Sequence, residues 1–124
     1  MNSKDMALLT AKAAADKKGR DITILELKGL SVITDYFIIV NGNSRIQTQA
    51  IAENIEKEMV LAGIRAARRE GYHEGRWILL DYGAVIVHIF QEEERNFYSL
   101  ERLWGDAPQI PYVSDNSHAP NYSR

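Results

Sequence analysis

The sequence predicts an α/β (α+β) fold, a mixed sheet of about five strands with flanking helices. Helix-period segments and short apolar runs follow one another in the order α-β-β-α-β-β-β-α, and a helix separates the groups of strands, which implies mixed pairing. The 124 residues suit one compact domain, and 45% apolar with 26% charged residues is an ordinary globular composition. Residues 1–105 read as that domain and 106–124 as an extended or disordered C-terminal tail.

The first element is the Ala-rich run in "SKDMALLTAKAAADKKG", a helix over about 4 to 18, with Ser3 or Asp5 as cap and Gly19 as stop. "DITILEL" alternates β-branched residues, and "DYFIIV", Asp35 to Val40, is a nearly continuous apolar run between turn residues; both predict strands, the second more buried. Ile51, Ile55, Met59 and Ala62 then recur at helical spacing behind a capping box of Ser44 and Gln47, with Gly63 as stop. "IRAARRE" fits a short strand, "GYHEG" a Gly-bounded loop, and "RWILLDYGAVIVHIF" two strands joined at Tyr82-Gly83. In "QEEERNFYSLERLW" three acids lie where a helix N-terminus favours negative charge, and Phe97, Leu100 and Trp104 form a stripe, predicting a short amphipathic third helix. The tail holds all three prolines and no periodicity.

A formal net charge of −2 gives no global pull toward nucleic acid or an anionic membrane, so such binding needs a local patch. The absence of Cys removes thiolate catalysis and Cys-based metal sites and suits a reducing, cytoplasmic setting. No stretch has the apolar length of a membrane span or the h-region of a signal peptide.

Four groups of residues can carry chemistry. "NGNS", Asn41 to Ser44, is a strand-to-helix turn whose backbone N–H groups can hold a phosphate, or a plain turn in which Ser44 is the cap. It resembles the Gly-Ser loop of nucleotidyltransferases, which implies a nucleotidyltransferase-like topology. The paired carboxylates that bind metal in those enzymes are missing, because "RAARRE" stands in their place, so the resemblance argues against that activity. His73, His88 and His118 have no metal-ligand spacing, and no metal or other cofactor is expected. Arg65, Arg68 and Arg69 can contact RNA phosphate or form a solvated strand edge, and no RNP-type aromatic motif accompanies them.

The hairpin is the fourth. With a turn at Tyr82-Gly83, Trp77, Leu79 and Asp81 share one face with Ala84, Ile86 and His88, while Ile78 and Leu80 share the other with Val85 and Val87. Two apolar faces describe a strand sandwiched between layers; a Trp and a carboxylate on one of them also suit a face covered by a partner. Tyr98, Glu101 and Arg102 fall off the stripe of the last helix and can form its polar rim.

"TDYFIIVNGNSRIQTQAIAENIEKEM", "WILLDYGAVIVHIF" and "RNFYSLERLW" together resemble the ribosomal silencing factor (Iojap-like) family, through its Asp-Tyr-Phe, Gly-x-Ser, Trp-x-Leu-x-Asp-Tyr-Gly, Val-His-x-Phe and Phe-Tyr-x-Leu-Glu-x-Leu-Trp motifs. The match covers residues from about 5 to 105. The resemblance implies a noncatalytic cytosolic protein, homodimeric when free, that binds the large ribosomal subunit through its fourteenth ribosomal protein. Occupying that site blocks joining with the small subunit and represses translation under nutrient limitation. Carried over by motif, the partner-binding residues are Trp77, Leu79 and Asp81 with Tyr98, Leu100 and Glu101. Trp77 and Leu79 would give apolar contact, Asp81 and Glu101 would meet basic or hydroxyl groups, and Tyr98 would offer a ring with a polar tip. Leu100 also belongs to the helix's own apolar stripe. The resemblance is silent on the Pro-containing tail.

Overall fold

The computed structural model describes residues 1–112. Helix α1 (Ser3–Asp16) is capped not by Ser3 or Asp5 but by Asn2, whose side-chain oxygen accepts from the Asp5 N–H at 2.7 Å. The chain leaves it through Lys18 in the left-handed region (φ 64°), and Gly19 is needed for space instead, since a Cβ there would lie 2.6 Å from a Val40 methyl. Strands β1 (Arg20–Glu26) and β2 (Tyr36–Gly42) pair antiparallel.

Helix α2 (Arg45–Leu61) begins as its sequence predicts: Ser44 accepts from the Gln47 N–H, and the Gln47 side chain reaches back to the Asn43 N–H at 2.5 Å. Ile51, Ile55 and Met59 are fully buried, and Gly63 closes the helix at φ 86°. Strands β3 (Arg68–Glu70), β4 (Trp77–Asp81) and β5 (Val85–Gln91) follow, then α3 (Glu92–Tyr98), α4 (Leu100–Leu103) and β6 (Gln109–Pro111).

The sheet has six strands in the order β3-β4-β5-β2-β1-β6 and is mixed: β2 and β5 run parallel at its centre and the other neighbours are antiparallel. The extra strand beyond the expected five is β6, laid against β1 by the first residues of the expected tail; residues 113–124, including His118, lie outside the described part. α1 and α2 cover one face with Ile38, Val40, Ile78, Leu80, Val87 and Ile89 beneath them. The second face carries a smaller cluster of Leu25, Leu27, Ile39 and Phe90 under Leu100, Trp104 and Ala107. Helix α2 and then β3 after the Gly-Asn-Ser turn give the element order on which the nucleotidyltransferase-like expectation rested.

Two local expectations are corrected. The hairpin turn lies at Gly83-Ala84, because Tyr82 stays in the ladder with its N–H on the Val85 carbonyl, and Asp81 faces Ile86. The shift relative to a turn at Tyr82-Gly83 is an even number of residues, so every side chain keeps its expected face. The last helix is not continuous: Ser99 adopts the left-handed conformation (φ 49°) and divides it into α3 and α4. The stripe breaks with it, and Phe97 is 79% exposed while Leu100 and Trp104 pack on the second cluster.

A candidate docking face on the half-covered side of the sheet

The register of β4 on β5 sets Trp77 opposite Phe90, Leu79 opposite His88 and Asp81 opposite Ile86. Pleating puts all six on the face away from α1 and α2. α4 and Trp104 cover the β1 side of that face, and Tyr98 at the end of α3 reaches Trp77, their ring centroids 4.5 Å apart. Phe97 meets Tyr98 edge-on at 5.0 Å, and Trp77 also lies against Phe90 at 5.0 Å. Trp77 and Leu79 are half-buried, Tyr98 and Phe97 exposed, so the β4 side ends in a partly open aromatic surface.

The turn of α3 into α4 has an identifiable cause in Arg95. This side chain, 8% exposed, donates to the Asp21 carbonyl at 2.6 Å, to Asn41 Oδ1 at 3.0 Å, to Thr23 Oγ1 at 3.2 Å and to Glu101 Oε2 at 2.6 Å. Residues six apart lie about 240° apart around a straight helix, so Arg95 and Glu101 meet only because the chain bends at Ser99. The network fastens α3 and α4 to β1 and β2 and thereby fixes Tyr98 over Trp77. In the free chain Glu101 is engaged by Arg95 rather than standing free at a rim.

Asp81 is engaged as well. Its Oδ1 accepts from the Gly83 N–H at 2.8 Å, and its Oδ2 lies 3.5 Å from Arg68 on the neighbouring strand. Arg68 also pairs with Glu70, and Arg69 pairs with Glu56 while lying over the Tyr72 ring. Arg65, Arg68 and Arg69 line one recess of about 360 Å³ between α2 and β3, whose wall includes the buried Tyr82. β3 is an exposed edge strand, as its charges suggest. Thus the structure brings Trp77, Leu79, Asp81 and Tyr98 to one surface, packs a half-buried Leu100 on the cluster beside it, and joins Glu101 to Arg95.

The Asn41–Ser44 turn needs no ligand to explain it. Ser44 is the cap, and a Cβ at Gly42 would lie 2.8 Å from the Thr48 methyl, so close helix-to-strand approach demands the glycine. No group of three or more His, Asp or Glu gathers as a metal site among the described residues. Among those residues, too, no helix is long and apolar enough to cross a membrane.

Three participants escaped the sequence reading. Phe97 passes for core in a straight helix, Arg95 for a solvated charge, and His88 for an ordinary strand histidine. His88 is 4% exposed, and its Nδ1 accepts the Trp77 indole N–H at 3.0 Å. Burial pushes its pKa down to about 4, which leaves the ring neutral. Its place on the Trp77 face, diagonal to that residue, was the available signal.

The family model described as "Ribosomal silencing factor during starvation" matches residues 1–124. A Bacillus subtilis protein named as a ribosomal silencing factor is 46% identical over 108 residues, 87% of this chain and 92% of the relative. The chloroplastic Iojap protein of Arabidopsis thaliana is 33% identical over 92% of this chain and 48% of its own length. A Chromobacterium violaceum crystal structure superposes with a TM-score of 0.83 at 31% identity, covering 92% of this chain and 95% of the other. A Bacillus halodurans structure gives 0.78 at 40% identity, over 88% and 99%. The motifs quoted from the sequence, the mixed sheet with its helices, and these likenesses agree: the chain belongs to the ribosomal silencing factor family.

Proposed function

We propose that the protein is a noncatalytic, cytoplasmic anti-association factor that binds the large ribosomal subunit through its fourteenth ribosomal protein. Seated there, it blocks joining with the small subunit by occupying space and so represses translation under nutrient limitation. The carrying observation is the partly open aromatic surface of Trp77, Tyr98 and Phe97 in a chain of this family. A ring array left half-covered by its own helices is the composition of an interface core, and Leu79 and Asp81 extend it along β4. Leu100 and Glu101, which in the free chain pack on the second cluster and pair with Arg95, complete the proposed contact set beside Tyr98.

Residues 1–105 form the docking unit in this reading, with 106–124 appended to it and joined to its sheet through β6, and the free protein is a homodimer. Arg65, Arg68 and Arg69 add contact with rRNA phosphate beside the Asp81 end of the face; because Arg68 and Arg69 already pair with acids, Arg65 is the cation most available for it.

Pelleting the protein with separated ribosomal subunits tests the proposal. Recovery is expected with the large subunit only, and Trp77→Ala should weaken binding by about 2 kcal/mol, roughly 30-fold. Equal recovery with both subunits would overturn it.

A further inference from the structure

Trp77 is the half-buried centre of the aromatic surface, and its single polar atom does not face outward for a partner. The indole N–H donates inward to His88 Nδ1 at 3.0 Å. A neutral imidazole that accepts at Nδ1 carries its own proton at Nε2, and that N–H is buried without a partner. The rings packed around His88 are Phe37 at 4.5 Å, Trp77 at 5.9 Å and Phe90 at 6.1 Å, with Leu79 opposite it on β4. None of these neighbours can accept a conventional hydrogen bond from a ring nitrogen.

A buried, unsatisfied N–H costs stability; Phe would avoid that orphan but would leave the Trp77 N–H without its acceptor. The histidine therefore contributes something that packing does not need. What it supplies is a fixed acceptor for one indole. Trp77 touches Tyr98 at 4.5 Å and Phe90 at 5.0 Å, tilted ring contacts that contain no directed polar bond. The bond to His88 is the directed one: with the N–H satisfied inside the chain, the surface Trp77 offers is carbon.

We propose that His88 is a positioning residue for the docking face, fixing the Trp77 indole in one orientation so that an apolar edge is preset before the partner arrives. Presetting lowers the ordering cost of association, so the role is read in affinity. The inference rests on the docking function proposed above, and the experiment separates the two.

Three variants of the full chain are compared with the wild type: Trp77→Ala, His88→Phe, and His88→Asn, whose Oδ1 can replace Nδ1 as acceptor. The indole N–H resonance of Trp77 is followed by NMR, melting temperature by calorimetry, and affinity by pelleting with large subunits. In the wild type the Trp77 N–H should exchange slowly. His88→Phe should lose that protection and bind about fivefold more weakly, the worth of one hydrogen bond, with a melting temperature little changed because one unsatisfied N–H replaces another. His88→Asn should recover most of both protection and affinity. Unchanged affinity in His88→Phe beside a large loss in Trp77→Ala overturns the positioning role alone. Unchanged affinity in Trp77→Ala overturns the docking function and the positioning role with it. A fast-exchanging indole N–H in the wild type overturns the positioning role even if His88→Phe fails to fold.

Discussion

The two faces of the sheet are built from different materials. Under α1 and α2 the covering is complete: Ile38, Val40, Ile78, Leu80, Val87 and Ile89 are all fully buried. That face is largely aliphatic, with Tyr36 and Tyr82 as the buried tyrosines of the cluster beneath the helices. The opposite face is aromatic, carries Arg95, Asn41, Thr23 and His88 among its rings, and is covered on the β1 side but half-open over β4. The aliphatic face stabilises the fold by area removed from water and asks for no directional contact. The aromatic face holds its elements by directed hydrogen bonds, the kind of arrangement that fixes a surface geometry at some cost in stability.

Paired substitutions break this comparison most sharply. Ile89→Ala, on the covered face, should cost about 2–5 kcal/mol of unfolding free energy by lost transfer and cavity formation. Arg95→Met, on the other face, should cost about 3 kcal/mol, because Glu101 and Asn41 Oδ1 lose their donor. Denaturant melts give both values. The difference lies elsewhere: Arg95→Met should also free α3 and α4, seen as rapid amide exchange in residues 92–103, whereas Ile89→Ala should lower protection across the sheet. Uniform loss in both variants would mean that the two faces do not differ in kind.

Much of this was legible in the sequence, for physical reasons that differ by element. Ser44, Gln47 and Gly63 mark α2 because caps are local chemistry, and the Trp77 face was assigned correctly because alternation survives a register shift of even length. The break at Ser99 was not legible. It depends on Arg95 reaching Asp21, Thr23 and Asn41, contacts more than fifty residues away in the chain that no local pattern reports. Strand β6 was missed because three residues with a proline give too short a signal, and its pairing with β1 is likewise long-range. The proposed docking residues rest on motif resemblance; from periodicity alone the hairpin could equally be sandwiched between two layers.

Histidine 88 gives the comparison a pH dependence. An unfolded histidine binds its proton near pH 6.5, while burial lowers the folded value to about 4. Between those values the unfolded chain holds more protons, so this contribution to stability is complete above pH 6.5 and is lost as pH falls toward 4, by an amount on the order of 3 kcal/mol. Unfolding free energies measured across that window should rise with pH, and His88→Phe should flatten the rise. An unaltered slope in His88→Phe would place the titration on another group.

The smallest effect concerns the open edge. Arg68 and Asp81 form an ion pair at 3.5 Å with the arginine side chain 60% exposed, so Arg68→Ala should change stability by less than about 1 kcal/mol. Its effect on docking has a definite sign. If Asp81 meets a basic group of the partner, Arg68 competes for the same oxygen, and its removal should strengthen binding by roughly twofold, the worth of a weak surface pair. Arg65→Ala should instead weaken binding and flatten its dependence on salt by about one unit of logarithmic slope, the signature of one lost phosphate contact. Salt titrations of both variants on large subunits separate the roles. Weaker binding with a flatter slope in Arg68→Ala would transfer the phosphate contact to Arg68, and Asp81 would then act as the holder of that arginine instead of as a contact in its own right.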